Sequence, residues 1–210
     1  MQDLIAKYVV PHEEPYPLLV LLHGMGSDEE DLMGLAPLLP KSWGLASLRA
    51  PYAYGPGYQW YSLANVREPE PADFAASLEA VEQWVRQVPE RFPAVDRSRI
   101  VLGGFSQGSV MATAAGFSGR LKGLLAGVVV LSGYVPDHLI LHEGPAQVFW
   151  GHGEHDGVLP YALGEVGHKR LEAAKAHVQF HAYPMAHEVS AEEMADLSAW
   201  LESLSGGARG

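Results

Sequence analysis

The sequence predicts an α/β protein with a mainly parallel sheet and helices on both of its faces. Apolar runs of strand length alternate with amphipathic segments of helix length, and this alternation is typical of such a sheet. The uninterrupted β-branched run at Gly127–Leu131 is typical of a strand that is covered on both faces. The chain has 210 residues, 48% of them hydrophobic, which is enough for one sizeable core. We expect a single domain over residues 1–204 and a flexible tail at 205–210.

The first part of the chain predicts two strands, a helix and a further strand. In order, these are Leu4–Val10, Leu18–Leu22, a helix at about Glu29–Leu39, and a strand at Gly44–Ala50. The first two strands are expected as an opening pair joined by a Pro- and Glu-rich turn. The pattern Ser27-x-x-Glu30 matches a capping box for the helix. Residues 52–71 are rich in Gly, Pro and aromatic side chains, so they predict a long loop rather than an element.

The remainder of the chain predicts regular alternation. The expected elements are a helix at Ala72–Arg91, a strand at Ile100–Gly103, a helix from Ser109 to about Ser118, strands at Gly127–Leu131 and Ala146–Trp150, a helix at Pro160–Ala176, a strand at Val178–Tyr183, and a helix from Ser190 to about Leu204. A second capping-box match, Ser190-x-x-Glu193, begins the last helix. No segment is long enough for a second domain or a separate lid domain.

Composition excludes several function classes. The net charge is −11, from 14 basic and 25 acidic residues, and there is no run of Lys or Arg. This balance argues against nucleic acid and anionic membrane surfaces as partners. The absence of cysteine excludes disulfides, thiol chemistry and Cys-ligated zinc. The longest apolar stretch, near Leu124–Leu131, is too short for a membrane span and the first residues lack a signal pattern, so we expect a cytoplasmic protein with no stable membrane insertion.

The most informative motif is Gly104-x-Ser106-x-Gly108, which ends a predicted strand and begins a small-residue helix. A strand-to-helix turn this tight exposes the serine hydroxyl at the crest of a sheet, and the flanking glycines avoid collisions. The helix that follows directs its N-terminal N–H groups towards an oxyanion beside the serine. Ser106 is therefore the predicted nucleophile.

A serine nucleophile needs a base and an acid that orients the base, and both are expected downstream in loops after strands. The loop after the strand that ends at Trp150 offers Glu154 and Asp156, and we favour Asp156 because it directly precedes Gly157 and the next helix. The loop after the following strand contains His187, which is the predicted general base. His181 lies inside that strand, which argues against it as the base.

The predicted oxyanion hole combines two backbone N–H groups. One belongs to Gln107, the residue after the nucleophile, and the other comes from the loop after an early strand. Met25 is the first choice for the second donor, with Gly26 as the alternative. Gly24 and Gly26 let this loop approach the substrate closely. His23, next to the loop, is expected to hold it with a ring hydrogen bond.

Two further groups of residues bear on ligands. His152 and His155 beside Asp156 suggest a metal site, but they lie in one loop without a helix to fix two histidines on one face, so no metal and no cofactor are predicted. Trp60 and Tyr61, in the aromatic loop, are the predicted apolar wall for an acyl or aryl group of the substrate.

Six motifs carry further information: Leu22-His-Gly-Met-Gly-Ser-Asp28, Arg49-Ala-Pro51, Gly104-Phe-Ser-Gln-Gly108, Leu131-Ser-Gly133, Gly151-His-Gly-Glu-His-Asp-Gly-Val-Leu-Pro160 and His187-Glu188. In these motifs the chain resembles the phospholipase/carboxylesterase family of small α/β-hydrolases, which includes bacterial carboxylesterases and acyl-protein thioesterases. The resemblance covers about Leu18 to Leu201. The resemblance implies the α/β-hydrolase fold, the triad Ser106, Asp156 and His187, and an oxyanion hole at Met25 and Gln107. It also makes a homodimer an option.

The predicted function is that of a serine carboxylesterase acting on a small-molecule ester. Short- to medium-chain acyl esters are expected, and thioesters or lysophospholipids are further options for the same chemistry. One alternative is a serine peptidase on the same fold, although such enzymes usually add a domain that encloses the peptide. The other is a catalytically silent binding module, against which the presence of all the active-site parts argues.

Overall fold

The computed structural model describes residues 3–65, 68–145 and 147–205. Within these ranges the strands are β1 (Ala6–Val9), β2 (Tyr16–Leu22), β3 (Gly44–Leu48), β4 (Tyr52–Tyr54), β5 (Gly57–Gln59), β6 (Leu63–Asn65), β7 (Glu68–Pro69), β8 (Val95–Phe105), β9 (Gly127–Leu131), β10 (Gln147–Gly153) and β11 (His177–Tyr183). The helices are α1 (Pro71–Arg86), α2 (Val88–Arg91), α3 (Gln107–Gly116), α4 (Tyr161–Ala173) and α5 (Ala191–Ser205), and a 3₁₀ helix covers Asp31–Leu38.

In the described ranges the central sheet has seven strands in the order β1-β3-β2-β8-β9-β10-β11. Each neighbouring pair is parallel except β1 and β3, which are antiparallel. One face of the sheet packs against α1, α3 and α4 through residues such as Trp84 and Leu171. The other face packs against α5 and the 3₁₀ helix through Trp200 and Leu32. The predicted fold class, a mainly parallel sheet with helices on both faces, is confirmed.

The two opening strands do not pair with each other, so that part of the prediction is wrong. β3 lies between them, and β1 pairs with β3 at the edge of the sheet. Burial explains the order. Every residue of β2 is buried, so β2 needs neighbours on both sides, whereas β1 is mostly exposed and suits an edge position.

The helix predicted at Glu29–Leu39 is a 3₁₀ helix, and its capping box does not form. The Ser27 hydroxyl donates to the Asp31 carboxylate at 2.7 Å instead of capping the helix. Pro37 lies inside the helix and has no N–H to donate, which disfavours a regular α-helix there. At the last helix one of the two capping-box hydrogen bonds forms: the Glu193 N–H donates to the Ser190 hydroxyl oxygen at 3.1 Å.

The loop predicted at residues 52–71 contains two short hairpins, β4–β5 and β6–β7. Gly55 and Pro56 suggested a loop, but they form the two-residue turn of the first hairpin, with Gly55 at φ +56°. The helix predicted at Ala72–Arg91 is divided at Gln87, because Pro89 lacks the N–H that would continue α1.

The last helix ends within one residue of its predicted end. α5 extends to Ser205, the first residue of the predicted tail, and residues 206–210 lie outside the described residues. Ala146, the predicted first residue of a strand, also lies outside them, and β10 begins at the next residue. Within the described ranges, none of the helices combines the length and apolar character needed to cross a membrane.

Candidate active site

Ser106 lies in the tight turn that joins β8 to α3. Its backbone angles, φ 53° and ψ −119°, fall in a region that residues other than glycine rarely adopt. Gly104 and Gly108 make the turn possible: a Cβ at Gly104 would overlap the backbone of Gly108, and a Cβ at Gly108 would overlap the Leu22 carbonyl. This is the strand-turn-helix arrangement that the glycine spacing predicts.

His187 lies in the loop after β11 and bridges two polar side chains. Its Nε2 atom is 2.8 Å from the Ser106 hydroxyl oxygen, and its Nδ1 atom is 2.7 Å from a carboxylate oxygen of Asp156. An ionised carboxylate only accepts hydrogen bonds, so Nδ1 carries the proton and Nε2 is left to accept one from the serine. The His187 ring also packs against the Phe105 ring, with centroids 4.9 Å apart, which limits its rotation.

Asp156 is held by its own loop. Its second carboxylate oxygen accepts hydrogen bonds from the backbone N–H groups of Val158 and Leu159, at 2.8 and 2.7 Å. The side chain is almost fully buried, whereas Glu154, the alternative acid, is exposed. The structure brings Asp156 to His187, and these two backbone bonds leave the other oxygen of Asp156 directed at the imidazole.

The three side chains come together because parallel strands end at the same edge of a sheet. Ser106 follows β8, Asp156 follows β10 and His187 follows β11, and these strands lie in the ordered series β8-β9-β10-β11. His181, inside β11, packs its ring against Phe149 and Tyr183 instead. The order of the sheet therefore accounts for residues separated by 81 positions meeting at hydrogen-bond distance.

Gln107 and Met25, whose backbone N–H groups are the predicted oxyanion donors, line the same cavity as Ser106. Gln107 is the first residue of α3, so its N–H has no partner within the helix. On the other side, the N–H of Gly26 donates to the Tyr58 carbonyl at 2.7 Å and is occupied. In the described part of the chain no hydrogen bond engages the N–H of Met25, so this N–H is available to a ligand whereas that of Gly26 is not.

The loop that carries Met25 is a tight turn close to the serine. The Ser27 N–H donates to the Gly24 carbonyl at 3.3 Å, and Gly26 has φ +86°, as a type II turn requires. A Cβ at Gly24 would lie 3.2 Å from the Phe105 ring and 3.5 Å from the Ser106 Cβ. Glycine at this position therefore lets the loop backbone reach the serine.

A cavity of about 250 Å³ opens in front of Ser106. Its lining is Met25, Tyr61, Leu63, Ser106, Gln107, Tyr134, Val158 and Leu159. Most of these side chains are apolar, and Met25, Leu63 and Val158 are also exposed at its mouth. Burial and a hydrogen bond with Tyr134 raise the pKa of Tyr61, so its phenol stays neutral. The cavity can hold an apolar group with its carbonyl at the serine.

Trp60 and Tyr61, predicted together as a substrate wall, have different positions. Tyr61 lines the cavity, whereas Trp60 is fully buried behind it, where its indole N–H donates to the His23 carbonyl at 2.9 Å. Gln107 fixes the backbone of both residues. Its side-chain oxygen accepts from the backbone N–H of Trp60 at 2.7 Å, and its side-chain amide group donates to the Tyr61 carbonyl at 2.8 Å. Trp60 thus connects the wall to the turn at Ser106 and does not itself line the cavity.

Sequence reasoning missed four cavity residues: Leu63, Tyr134, Val158 and Leu159. A signal for three of them was present. Val158 and Leu159 directly follow Asp156 in its loop, and Tyr134 follows β9, so the rule that ligands bind at the carboxyl ends of strands points to them. Leu63 had no such signal. It lies on β6, in the β6–β7 hairpin, and the glycine and proline content of residues 52–71 predicted a loop there.

His152 is a buried structural histidine. Its Nε2 atom donates to the Leu159 carbonyl at 2.8 Å, which helps to hold the loop around Asp156. Burial lowers the pKa of His152 and keeps it neutral. Among the described residues, no group of three His, Asp or Glu side chains is placed to hold a metal ion.

The fold and the Ser106–His187–Asp156 geometry together define an α/β-hydrolase. The sequence profile of the Phospholipase/Carboxylesterase family matches residues 5–205, and the chain belongs to that family.

Individual relatives agree with this assignment. The chain is 28% identical to Acyl-protein thioesterase 1 of Cryptococcus neoformans, over 92% of this chain and 94% of that protein. It is 30% identical to Acyl-protein thioesterase 1 of Yarrowia lipolytica, over 88% and 90% of the two chains. The carboxylesterase of Bacillus cereus has a similar structure, with a TM-score of 0.86, 22% identity, and coverage of 96% of this chain and 94% of that one. At that identity the structural likeness shows the fold.

Proposed function

We propose that this protein is a serine carboxylesterase that hydrolyses short- to medium-chain acyl esters through an acyl-enzyme intermediate. The observation that carries the proposal is the hydrogen-bonded series Asp156–His187–Ser106, with distances of 2.7 and 2.8 Å. Membership of the Phospholipase/Carboxylesterase family, and relatives named acyl-protein thioesterases, support the same chemistry, attack on an acyl carbonyl.

The reaction begins when Nε2 of His187 takes the proton of the Ser106 hydroxyl and the serine oxygen attacks the ester carbonyl carbon. The tetrahedral intermediate collapses as the protonated imidazole gives this proton to the departing alcohol. Water then replaces the alcohol, loses a proton to His187 and attacks the carbonyl carbon of the acyl-serine. The second tetrahedral intermediate collapses, the serine oxygen leaves and takes the proton back from His187, and the acid departs. Asp156 holds the imidazole in one tautomer and stabilises its charged form throughout.

The N–H groups of Met25 and Gln107 are the proposed oxyanion donors. Both belong to backbone whose position is fixed before substrate arrives, one by the turn at Gly26 and the other by the start of α3. Such donors stabilise charge that develops only in the transition state, and loss of one costs roughly 3 kcal/mol in the barrier. The positive end of the α3 dipole acts in the same direction.

The cavity favours acyl groups of modest length. Its volume is about 250 Å³, and at roughly 30 Å³ for each water-sized group it has room for about eight such groups. Apolar side chains such as Leu63 and Leu159 would contact the chain. A thioester presents the same carbonyl, so thioesters and lysophospholipids fit the same mechanism.

The test is hydrolysis of p-nitrophenyl esters of graded acyl length by the wild type and by Ser106→Ala. We expect turnover that depends on Ser106 and peaks at a short or medium chain. Ser203→Ala is the matched control, because this exposed serine lies on α5 and its hydroxyl donates only within its own helix. Residual turnover in Ser106→Ala equal to that of the control would contradict the proposal.

Titration with an organophosphate separates this function from the alternatives. An esterase or a peptidase consumes one equivalent of the reagent by forming a covalent adduct at Ser106. Hydrolysis of peptide substrates in preference to esters would identify the peptidase. A silent binding module would not react.

Three other expectations stay predictions: homodimerisation, a single domain at residues 1–204, and a cytoplasmic location. Gel filtration with light scattering tests the first, limited proteolysis the second and cell fractionation the third.

A further inference from the structure

His23 follows β2 directly, and both of its ring nitrogens make hydrogen bonds inside the protein. Nδ1 is 2.7 Å from the Gly24 carbonyl oxygen, and Nε2 is 3.0 Å from the backbone nitrogen of Ala50. The side chain is completely buried, and its ring lies 5.6 Å from that of Trp60. Among the described residues, His23 is not one of those that line the cavity, so the cavity does not account for a polar side chain at this depth.

The two partners of His23 determine which nitrogen carries the proton. A carbonyl oxygen only accepts, so Nδ1 donates, and the Ala50 N–H only donates, so Nε2 accepts. The ring is therefore neutral with its hydrogen on Nδ1. Burial, which lowers the pKa of His23, favours the same neutral form.

The carbonyl that His23 holds belongs to the same peptide unit as the N–H of Met25. A peptide unit is planar and trans, so its C=O and N–H point in opposite directions. Fixing the Gly24 oxygen on the side of His23 therefore fixes the Met25 N–H on the opposite side. The Ser27 N–H, at 3.3 Å, is a second and longer bond to the same oxygen.

We propose that His23 is a positioning residue whose Nδ1–H orients the Gly24–Met25 peptide, so that the Met25 N–H faces the oxyanion formed at Ser106. This inference rests on the proposed ester hydrolysis at Ser106. The Ala50 N–H holds the ring in the tautomer that can do this. A hydrogen bond to a carbonyl also polarises its peptide, which makes the N–H of Met25 a better donor.

Two variants separate the two bonds of His23. In His23→Asn the side-chain amide N–H takes the place of Nδ1–H and keeps the bond to Gly24, but the bond from Ala50 is lost. In His23→Gln the side-chain oxygen takes the place of Nε2 and keeps the bond from Ala50, but the donor to Gly24 is lost. Both lose one buried hydrogen bond, so a purely structural role would affect the two variants alike.

We expect His23→Gln to lower kcat by roughly 10- to 100-fold, less than the 10²–10³-fold cost of deleting an oxyanion donor outright, with little change in KM. Binding of a trifluoromethyl ketone, which forms a tetrahedral adduct with the serine, should weaken in proportion to kcat. His23→Asn should keep most of both. Wild-type kcat in folded His23→Gln, or equal kcat losses in the two variants that follow their losses of Tm, would overturn the inference.

A measurement on the wild type covers the case in which a variant does not fold. Nitrogen NMR of the imidazole identifies the proton-bearing atom, and we expect Nδ1–H near neutral pH, whereas Nε2–H would overturn the inference. The proposed function is tested separately by Ser106→Ala. If Ser106→Ala retains turnover, the esterase mechanism fails; if turnover requires Ser106 and His23→Gln is unimpaired, only the role of His23 fails.

Discussion

The carboxyl group of Glu193 on α5 lies against Gly151 on β10, in the space that a side chain on Gly151 would fill. Glu193 is completely buried, and neither of its carboxylate oxygens has a hydrogen-bond partner within the described part of the chain. The pattern Ser190-x-x-Glu193 predicts a capping box, and the Glu193 N–H does donate to the Ser190 hydroxyl oxygen. The side chain of Glu193, however, points into the interior of the protein, against β10, the strand that leads to Asp156.

This burial predicts that Glu193 makes stability fall as pH rises. Burial raises the pKa of Glu193 from 4.5 to about 8, so between these values the unfolded chain has released a proton that the native protein keeps. Native stability therefore decreases through this window by up to about 1.4 kcal/mol per pH unit. We expect Glu193→Gln, which has no proton to lose, to gain stability over the wild type progressively across the window. Urea denaturation at several pH values measures this.

Glu192→Gln is the control for this prediction, because Glu192 is the exposed neighbour of Glu193 on the same helix. Its stability difference from the wild type should vary little with pH. A Glu193→Gln variant whose stability runs parallel to that of the wild type at every pH would show that Glu193 is ionised in the native protein.

Asp156→Asn should lower kcat by about 10⁴-fold while the fold stays intact. The asparagine oxygen can still accept the N–H groups of Val158 and Leu159, so the loop keeps its shape. Its amide group, however, favours the tautomer of His187 in which Nε2 carries the proton and cannot accept one from Ser106. Steady-state kinetics measure the loss, with Glu154→Gln in the same loop as the control. Comparable losses in the two variants would argue against a specific role for Asp156.

Gln107→Met should destabilise the protein and alter its preference for acyl length. The substitution keeps the length of the side chain but leaves the buried backbone N–H of Trp60 and the Tyr61 carbonyl without their partner. Each unsatisfied group should lower the free energy of unfolding by about 1–3 kcal/mol. Tyr61 lines the cavity, so its position, and with it the chain-length profile, should change. Thermal denaturation and the p-nitrophenyl series test both effects. Gln59→Met is the control, and an unchanged profile in Gln107→Met would contradict the prediction.

Arg49→Lys should reduce stability, because Arg49 binds the buried carboxylate of Glu29 with two parallel hydrogen bonds of 2.6 Å. Lysine keeps the charge but loses the second bond and the stacking of the guanidinium on Tyr58. We expect a loss of roughly 1.5–3 kcal/mol in the free energy of unfolding, measured with urea. Arg97→Lys, at an exposed position, should have almost no effect. A loss no larger than that of this control would contradict the prediction.

Arg49 also affects the response to acid. Its hydrogen bonds lower the pKa of Glu29, so the stability that Glu29 contributes is present above the ordinary carboxyl pKa of 4.5 and is lost as pH falls. In Arg49→Lys this loss in acid should be smaller. The same urea measurements at low pH provide the comparison.

The parts of the site that the sequence predicts are those fixed by local sterics or by the direction of strands. The turn at Ser106 requires glycine on both sides, and this requirement is visible in the sequence. Asp156 and His187 each follow a strand, and the parallel sheet brings such positions to one edge whatever their separation along the chain. Neither inference needs a tertiary contact to be known in advance.

The parts that sequence analysis did not predict depend on tertiary contacts. Trp60 and Tyr61 are adjacent aromatic residues, and only the contacts of Gln107 and the His23 carbonyl determine which of them is buried and which lines the cavity. The pairing of β1 with β3 follows from the burial of β2 on both sides. The buried carboxyl of Glu193 has a local pattern that also fits an exposed helix cap.

β11 is an edge strand and most of its residues are only partly covered, yet the loop that follows it carries His187. Local opening of a protein begins at such poorly covered elements and costs less free energy than global unfolding. Separation of β11 from β10 would remove the imidazole from Ser106 while the buried centre of the sheet stays folded. Activity therefore depends on the integrity of this edge of the sheet, and on heating we expect activity to be lost before the core unfolds.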